Sequence, residues 1–174
     1  MTRITQATID HIEVGCNRSY DQVTASLQER LGSFGDPGKL RSQVAAGASW
    51  DQIAKAIEGM LGSSGLCVFH KVEHGDLLSL QVGKPQRVSQ YAIGNPLLAI
   101  RMIQHELGVA LYAPLRLAVY EDGEGKCVVA CDRFTSLLAR YSHPEIAATA
   151  KLVEEKVDAL IGEVTGEGRR TYTA

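Results

Sequence analysis

The sequence contains the segment Val88-Ser-Gln-Tyr-Ala-Ile-Gly94-Asn95-Pro96, which is followed by apolar residues at helical spacing. Residues 88–93 are rich in strand formers, and Gly94-Asn95-Pro96 closes the strand. Asparagine suits the N-cap of a helix and proline its first turn. The turn therefore predicts a strand that runs directly into a helix spanning Pro96 to Leu107.

Upstream of this unit, apolar and polar side chains partly alternate over residues 8–16, which predicts a first strand. Capping boxes at Ser19–Gln22 and Ser49–Gln52 each open an apolar helical repeat. The stretch 32–47 between these two helices is rich in glycine, which predicts a long flexible connection. Apolar and polar side chains alternate again over residues 66–74. A second alternating segment contains Leu78, Leu80 and Val82. With turns at Gly75-Asp76 and Gly83-Lys84-Pro85, these segments and strand 88–93 predict an antiparallel meander.

Downstream, residues 115–120 and 126–132 read as a hairpin, and a capping box at Ser142–Glu145 opens a last helix with an apolar stripe ending at Ile161. The element order β-α-α-β-β-β-α-β-β-α predicts an α+β protein. We expect a single antiparallel β-sheet with helices packed on one face, in one domain spanning residues 1–162. The polar residues 163–174 predict a flexible C-terminal tail.

Composition excludes several classes of function. Of the 174 residues 22% are charged, with a net charge of −2 and no basic stripe, so we expect no nucleic-acid partner. No segment approaches the ~20 apolar residues of a membrane span, so we expect no membrane partner. The N-terminal sequence shows no secretory signal, and the four cysteines are expected to be reduced thiols. These features predict a cytoplasmic protein.

Two motifs carry a family resemblance that extends from about Leu66 to Ile161. The first is Tyr91-Ala-Ile-Gly94-Asn95-Pro96, and the second is Ala113-Pro-Leu-Arg-Leu-Ala-Val-Tyr-Glu-Asp122, followed by a strand ending in Cys131-Asp132. Together they resemble the family called domain of unknown function 302. The resemblance implies a compact α+β fold with an antiparallel sheet and a homodimer, and it implies no activity. The chain departs from the family pattern at Gln104–Leu107, which lacks the usual proline, and at Asp132-Arg133, where the family has proline second.

The string His70-Lys-Val-Glu-His74 fits the His-x-x-Glu-His pattern of a class of zinc peptidases. That chemistry requires a helix, whereas this string lies in a predicted strand that would separate the two histidines by about 13 Å. We therefore predict no metal site. His70 alternates with the apolar Val68 and Val72, which predicts an inward histidine. It is either a hydrogen-bonded core residue or the proton-transfer group of an active site.

Two further sets of residues are candidates for a binding or catalytic site. Free N–H groups at the turn Gly94, Asn95 and Pro96 could bind a carboxylate or phosphate, unless the turn is simply a helix cap. Arg116 and Tyr120 fall on one face of their predicted strand, and Asp132 ends the neighbouring strand. Arg116 could clamp a carboxylate while Tyr120 or Asp132 moves a proton, or these residues could form an ordinary surface ion pair.

The leading hypothesis is a cytoplasmic homodimer that binds a small anionic molecule near Gly94-Asn95-Pro96, with Arg116 orienting the ligand. A second hypothesis is a small-molecule lyase, isomerase or hydrolase that uses His70, Tyr120 and Asp132 as acids or bases. The third is a structural or interaction module without a ligand. The sequence identifies no cofactor. A cavity joining His70 with Arg116 would favour chemistry, and a flat sheet face would favour assembly alone.

Overall fold

The computed structural model describes residue 2 and residues 4–167, and it contains one six-stranded sheet. The strands are β1 His11–Gly15, β2 Gly32–Ser33, β3 Cys67–Glu73, β4 Val88–Gly94, β5 Leu115–Glu121 and β6 Cys127–Asp132. Their order across the sheet is β1-β6-β5-β4-β3-β2. All neighbouring pairs are antiparallel except β2 with β3, which are parallel. The sheet is therefore mixed, and the prediction of a purely antiparallel sheet is wrong.

Helices occupy most of the remaining described chain, and the predicted α+β class with one sheet is confirmed. They are α1 Tyr20–Arg30, α2 Pro37–Ala45, α3 Trp50–Glu58, α4 His74–Val82, α5 Pro96–Ile103, α6 Phe134–Leu138 and α7 Pro144–Thr165, with a 3-10 helix at Leu107–Tyr112. Helices α2 and α3 lie between β2 and β3. A connection of this length lets two neighbouring strands run parallel, which a tight turn cannot do.

Helix α4 replaces the middle strand of the predicted meander. The alternating Leu78, Leu80 and Val82 lie on this helix. Gly75-Asp76, predicted as a turn, lies in its first turn, and Gly83 ends it in the left-handed conformation with a φ of 71°. Leucine, glutamine and serine are not strand formers. The alternation of Leu78, Leu80 and Val82 is therefore weaker evidence for a strand than Gly83 is for the end of a helix.

Other predicted boundaries also differ from the structure. The stretch 32–47, predicted as a flexible connection, contains β2 and α2, and Asp36 caps α2 by accepting a hydrogen bond from Gly38 N at 2.8 Å. The helix predicted over Pro96 to Leu107 ends at Ile103, and α6 was not predicted. The capping boxes at Ser19 and Ser49 both form, whereas α7 is capped by the His143 side chain.

The core lies between one face of the sheet, which we call the inner face, and α1 and α7. Side chains buried at this face alternate along the central strands, as at Leu115, Leu117 and Val119 of β5. Helix α7 faces them with Ile146, Val153, Leu160 and other buried residues. It runs past the predicted domain boundary at residue 162 to Thr165, with Val164 fully buried. Residues 168–174 of the predicted tail lie outside the described residues.

Leu117 and Arg116 of β5 test this packing, because adjacent side chains of a strand point to opposite faces of the sheet. Leu117→Ala should lower the free energy of unfolding by about 2–5 kcal/mol, because Leu117 is fully buried and the change leaves a cavity. Arg116→Ala, on the exposed face, should change it by less than about 0.5 kcal/mol. Urea unfolding followed by circular dichroism measures both, and equal losses would contradict the assigned faces.

Candidate functional site

The turn Gly94-Asn95-Pro96 lies at the end of β4, and its polar groups are already bonded within the chain. Asn95 Oδ1 accepts hydrogen bonds from the backbone N–H groups of Leu97 at 2.9 Å and Leu98 at 3.4 Å. Its Nδ2 donates to the Gly65 carbonyl at 3.1 Å. Asn95 thus caps α5 and ties it to the loop before β3. An anion at this helix end would compete with the Asn95 side chain for the same two donors.

A cavity of about 160 Å³ opens beside this turn, between α5 and the end of the sheet. Its wall is almost entirely apolar. Phe69, Ile93, Ile100, Ile103, Pro114 and Phe134 line it together with the turn residues, Ala99, Met102, Ala113, Leu115 and Val153. Because few polar groups face this space, it suits an apolar molecule better than a free phosphate or a small inorganic anion.

Arg116 lines a neighbouring cavity of about 100 Å³, which shares Pro114 and Leu115 with the apolar cavity. Tyr112 of the 3-10 helix and Asp132 of β6 also line this second cavity. Among the described residues the side chain of Arg116 makes no hydrogen bond or ion pair. Its guanidinium is therefore a cation without a partner in the described part of the chain, at the edge of a largely apolar site.

The predicted orientation of His70 is wrong. The register of β3 and β4 shifts between Val68 and His70, because a bulge at Phe69 inserts one residue into β3. His70 consequently pairs with Ala92, and Ala92 pairs with Arg116 on the outer face of the sheet. His70 is exposed there. Beyond a bulge, each side chain of the strand points to the face opposite to the one expected. The alternation of apolar and polar residues in the sequence does not reveal a bulge.

Tyr120 lies on the same outer face as Arg116, and its hydroxyl donates a hydrogen bond to the carboxylate of Glu13 on β1. This hydrogen bond, with burial and the charge of Glu13, raises the pKa of Tyr120 to about 12. A phenol held protonated in this way is a poor general base near neutral pH. Glu13, which sequence reasoning did not single out, therefore determines the chemistry of Tyr120.

Asp132 is paired with His11 at the start of β1, with 2.8 Å between His11 Nδ1 and Asp132 Oδ1. The same carboxylate lines the cavity of Arg116, although the two side chains form no ion pair. Arg116 and Asp132 thus share one cavity, whereas His70 and Tyr120 are not among the residues that line it. Of the three candidate acid–base groups, only Asp132 therefore lines this cavity.

A polar cluster on the inner face was missed by the sequence reasoning. The hydroxyl of Tyr20 bonds that of Ser89, which is fully buried, and Ser89 donates to the carboxylate of Glu73. Lys71 forms an ion pair with Glu73, and its ammonium lies 5.2 Å from the ring centre of Tyr91. The only signal for this cluster is a serine at an inward position of β4. A shifted strand register hides the inward positions of Lys71 and Glu73.

Opposing effects set the pKa values in this cluster. Burial would raise the pKa of Glu73, but hydrogen bonds from Lys71 and Ser89 outweigh it and leave that pKa below its usual range. Burial would lower the pKa of Lys71, but its interactions with Glu73 and Tyr91 together outweigh that effect, so the pKa is raised. Both groups are held in their charged forms. The cluster therefore acts as a salt bridge that anchors β3 to β4 and α1 and does not supply a proton-transfer group.

Within the described residues, no three histidine, cysteine or acidic side chains are grouped so that they could hold a metal ion. None of the helices described is both long and apolar enough to cross a bilayer.

Comparison with known proteins places the chain in a family. The model of the family described as "Domain of unknown function DUF302" matches residues 42–164. The chain belongs to the DUF302 family. It is also similar to a crystal structure described as an uncharacterized conserved protein DUF302 from Bacillus stearothermophilus. That match has a TM-score of 0.59 and 16% sequence identity, and it covers 89% of this chain and 97% of the other.

No protein of curated function matches the chain. The DUF302 match includes both candidate cavities but not β1, which lies before residue 42. His11 and Glu13, the partners of Asp132 and Tyr120, thus come from a part of the chain that the family model does not cover. At 16% identity, the similarity to the solved DUF302 structure concerns the fold alone.

Removal of the Glu13 charge should change the titration of Tyr120. Glu13→Gln should move the pKa of Tyr120 from about 12 towards the ordinary value, because the negative acceptor that favours the phenol is gone. Nuclear magnetic resonance of the tyrosine ring carbons, assigned with Tyr120→Phe, measures this pKa. Glu124→Gln, which alters an exposed carboxylate paired with Lys126, is the control and should leave it unchanged.

The same pKa shift has a consequence for stability. The folded-state pKa lies above the value of about 10 expected in the unfolded chain, so the contribution of this bond is complete below about pH 10. It is lost as the pH rises towards about 12. A parent protein that loses no more stability over this interval than Tyr120→Phe would contradict the assignment.

Proposed function

We propose that this protein is a binding module for a small apolar molecule that carries a carboxylate. The apolar part of the ligand occupies the cavity between α5 and the sheet, and Arg116 recognises the acidic group. The observation that carries the proposal is the apolar cavity of about 160 Å³ at the Gly94-Asn95-Pro96 turn. This cavity adjoins an arginine whose side chain has no partner among residues 4–167.

The apolar part of the ligand follows from the wall of the cavity. Aromatic rings from two elements, Phe69 in β3 and Phe134 in α6, line the space with branched aliphatic side chains from α5. Such a surface gains free energy when an apolar molecule displaces water from it. Ile100, at 45% exposure, is a large apolar residue at the open side of this cavity, where a ligand would cover it.

The acidic part of the ligand follows from Arg116 and the shared wall of the two cavities. Arginine binds carboxylates through paired N–H donors, and an arginine already engaged with an internal carboxylate would be less free to do so. Asp132 lies on the same cavity wall but is paired with His11. This arrangement revises the sequence hypothesis, because Arg116 takes the role first considered for the backbone N–H groups of the turn.

A binding function is better supported than catalysis by His70, Tyr120 and Asp132. Tyr120 is hydrogen-bonded to Glu13, and Asp132 is paired with His11. His70 is exposed on β3, where Ala92 of β4 separates it from Arg116. General acid–base catalysis requires groups within hydrogen-bond reach of one reacting molecule. The positions of these three side chains do not support that geometry.

The proposal predicts separate effects of the two parts of the site on two probes, toluene and phenylacetate. Ala99→Phe fills the apolar cavity and should weaken both probes by about tenfold or more, since a ring of similar size would have to be displaced. Arg116→Ala should weaken phenylacetate by about fivefold and leave toluene unchanged, because only the ion pair is lost. Ligand-observed nuclear magnetic resonance measures both affinities.

Matched controls are Ala147→Phe and Arg140→Ala, which alter exposed residues outside both cavities. Neither should change the affinity for either probe. Unchanged binding of both probes to Ala99→Phe would place their site elsewhere. Equal losses of toluene and phenylacetate in Arg116→Ala would remove the proposed role of the arginine.

The homodimer is a second part of the proposal and rests on a different surface. Helix α4 exposes Leu77 at 74% and Leu80 at 82%, together with Leu78 and Val82. Exposed apolar groups of this size on one short helix are typical of an interaction surface. Residues 77–83 contain no charged side chain. A second copy of the same patch can therefore meet it across a two-fold axis without like-charge repulsion.

Lysine substitutions on α4 test the dimer. Leu77→Lys and Leu80→Lys should each weaken self-association by about tenfold or more, because a charge replaces an apolar contact in a desolvated interface. Sedimentation equilibrium then distinguishes a dimer from a chain of 18.8 kDa. Leu107→Lys, at an equally exposed leucine of the 3-10 helix, is the control. A parent protein that sediments as a monomer at all concentrations would refute this part of the proposal.

We also propose a cytoplasmic location. The cysteines at positions 16, 67, 127 and 131 are all free thiols, which is the usual state in a reducing compartment.

A further inference from the structure

Two of the free cysteines lie opposite each other across neighbouring strands. The β1–β6 ladder ends at the pair Gly15 and Val128, and the next residues in that register are Cys16 and Cys127. The backbone continues the pairing there, since Cys16 N donates to the Cys127 carbonyl at 2.8 Å. Directly opposed residues of antiparallel strands have Cα atoms about 4.5–5.5 Å apart, which falls within the range of about 4.4–6.8 Å found for disulfides.

The two thiols also interact with each other. Both side chains point to the inner face, and the Cys16 thiol donates to the Val14 carbonyl at 3.7 Å. The interaction between the two cysteines lowers the pKa of Cys16 and raises that of Cys127. Cys16 is half-buried and open to a small reagent, whereas Cys127 is 2% exposed. The pair therefore combines an accessible, more acidic thiol with a sheltered thiol directly opposite it on the neighbouring strand.

The remaining cysteines lack this arrangement. Cys67 is buried, and its thiol donates to the Gly94 carbonyl at 3.4 Å. Burial raises the pKa of Cys67 to about 11 and that of Cys131 to about 12. Both are buried thiols that resist reaction, since the thiolate is the nucleophile.

From this geometry we infer that Cys16 and Cys127 form a redox site, which a peroxide converts into a reversible intramolecular disulfide. The Cys16 thiolate attacks one oxygen of hydrogen peroxide, the O–O bond breaks, and hydroxide leaves, so that Cys16 becomes a sulfenic acid. The Cys127 sulfur then attacks the Cys16 sulfur. The S–S bond forms as the S–O bond breaks, and the thiol proton leaves with the oxygen as water.

The reaction balances with the peroxide as the oxidant. Two thiols lose two electrons and two protons in total, and one molecule of hydrogen peroxide is reduced to two molecules of water. A dithiol reductant reverses the change through a mixed disulfide. The new bond joins β1, an edge strand with one neighbour, to β6. Oxidation thereby fixes the strand that supplies His11 and Glu13 to the outer face.

Peroxide treatment followed by peptide mapping tests the site. In the parent protein, hydrogen peroxide should remove two of the four alkylatable thiols, and mapping should show a Cys16–Cys127 link that dithiothreitol reverses. In Cys16→Ser, which cannot form this disulfide, peroxide should leave all three remaining thiols open to alkylation. In Cys127→Ala the sulfenic acid of Cys16 should persist and react with dimedone. Cys131→Ser, which alters a buried cysteine of the same strand, is the control and should still form the link.

Three results would overturn the inference. One is a parent protein that keeps all its thiols under peroxide concentrations that oxidise a free cysteine peptide. Another is oxidation of Cys16 without a link to Cys127, and the third is a link between two chains through Cys16. If a variant fails to fold by circular dichroism, peptide mapping of the parent protein alone decides between these outcomes.

Discussion

Helix α7 packs against the inner face of the sheet, and this contact determines which residues of each strand are buried. Buried residues recur along this 22-residue helix from Ile146 to Thr165. They meet the inward residues of the central strands in one continuous core. This burial commits one face of each strand to the interior, so the alternate residues Arg116, Ala118 and Tyr120 must face outwards. It also places Val153 of α7 at the base of the apolar cavity.

The capped turn between β4 and α5 determines where the candidate site lies. Because Asn95 bonds the first amide groups of α5 and the Gly65 carbonyl, the helix leaves the sheet at a fixed place. Space remains between the helix and the ends of β4 and β5, and apolar side chains line it. The same cap that defines the site occupies the donors that an anion would use. An acidic group would therefore be bound by a side chain outside the turn, and Arg116 is the side chain proposed for this role.

The sequence predicted those parts of the fold that depend on local signals. Two of the capped helix starts and the strand-to-helix turn at Asn95-Pro96 follow from hydrogen bonds between residues close together in the chain. Alternation correctly indicated the hairpin of β5 and β6. The family resemblance agreed with the family model, which matches residues 42–164.

The predictions that failed depend on contacts between distant segments. The bulge at Phe69 and the parallel pairing of β2 with β3 are set by neighbouring strands, and no local pattern encodes them. Helix α4 was mistaken for a strand because its exposed leucines follow no amphipathic repeat. The partners Glu13 and His11 lie more than a hundred residues from Tyr120 and Asp132 in the chain, so only the folded sheet brings them together.

The proposed function places a small apolar acid in the cavity between α5 and the sheet. Methyl nuclear magnetic resonance during titration with phenylacetate locates this binding residue by residue. We expect the methyl signals of Ile93, Ile100 and Ile103, which line the cavity, to shift with saturation. Those of Ile53 and Ile57, which belong to a separate apolar cluster, should stay in place. Saturable shifts confined to Ile53 and Ile57, or no shifts at all, would rule out the binding of a small apolar acid in this cavity.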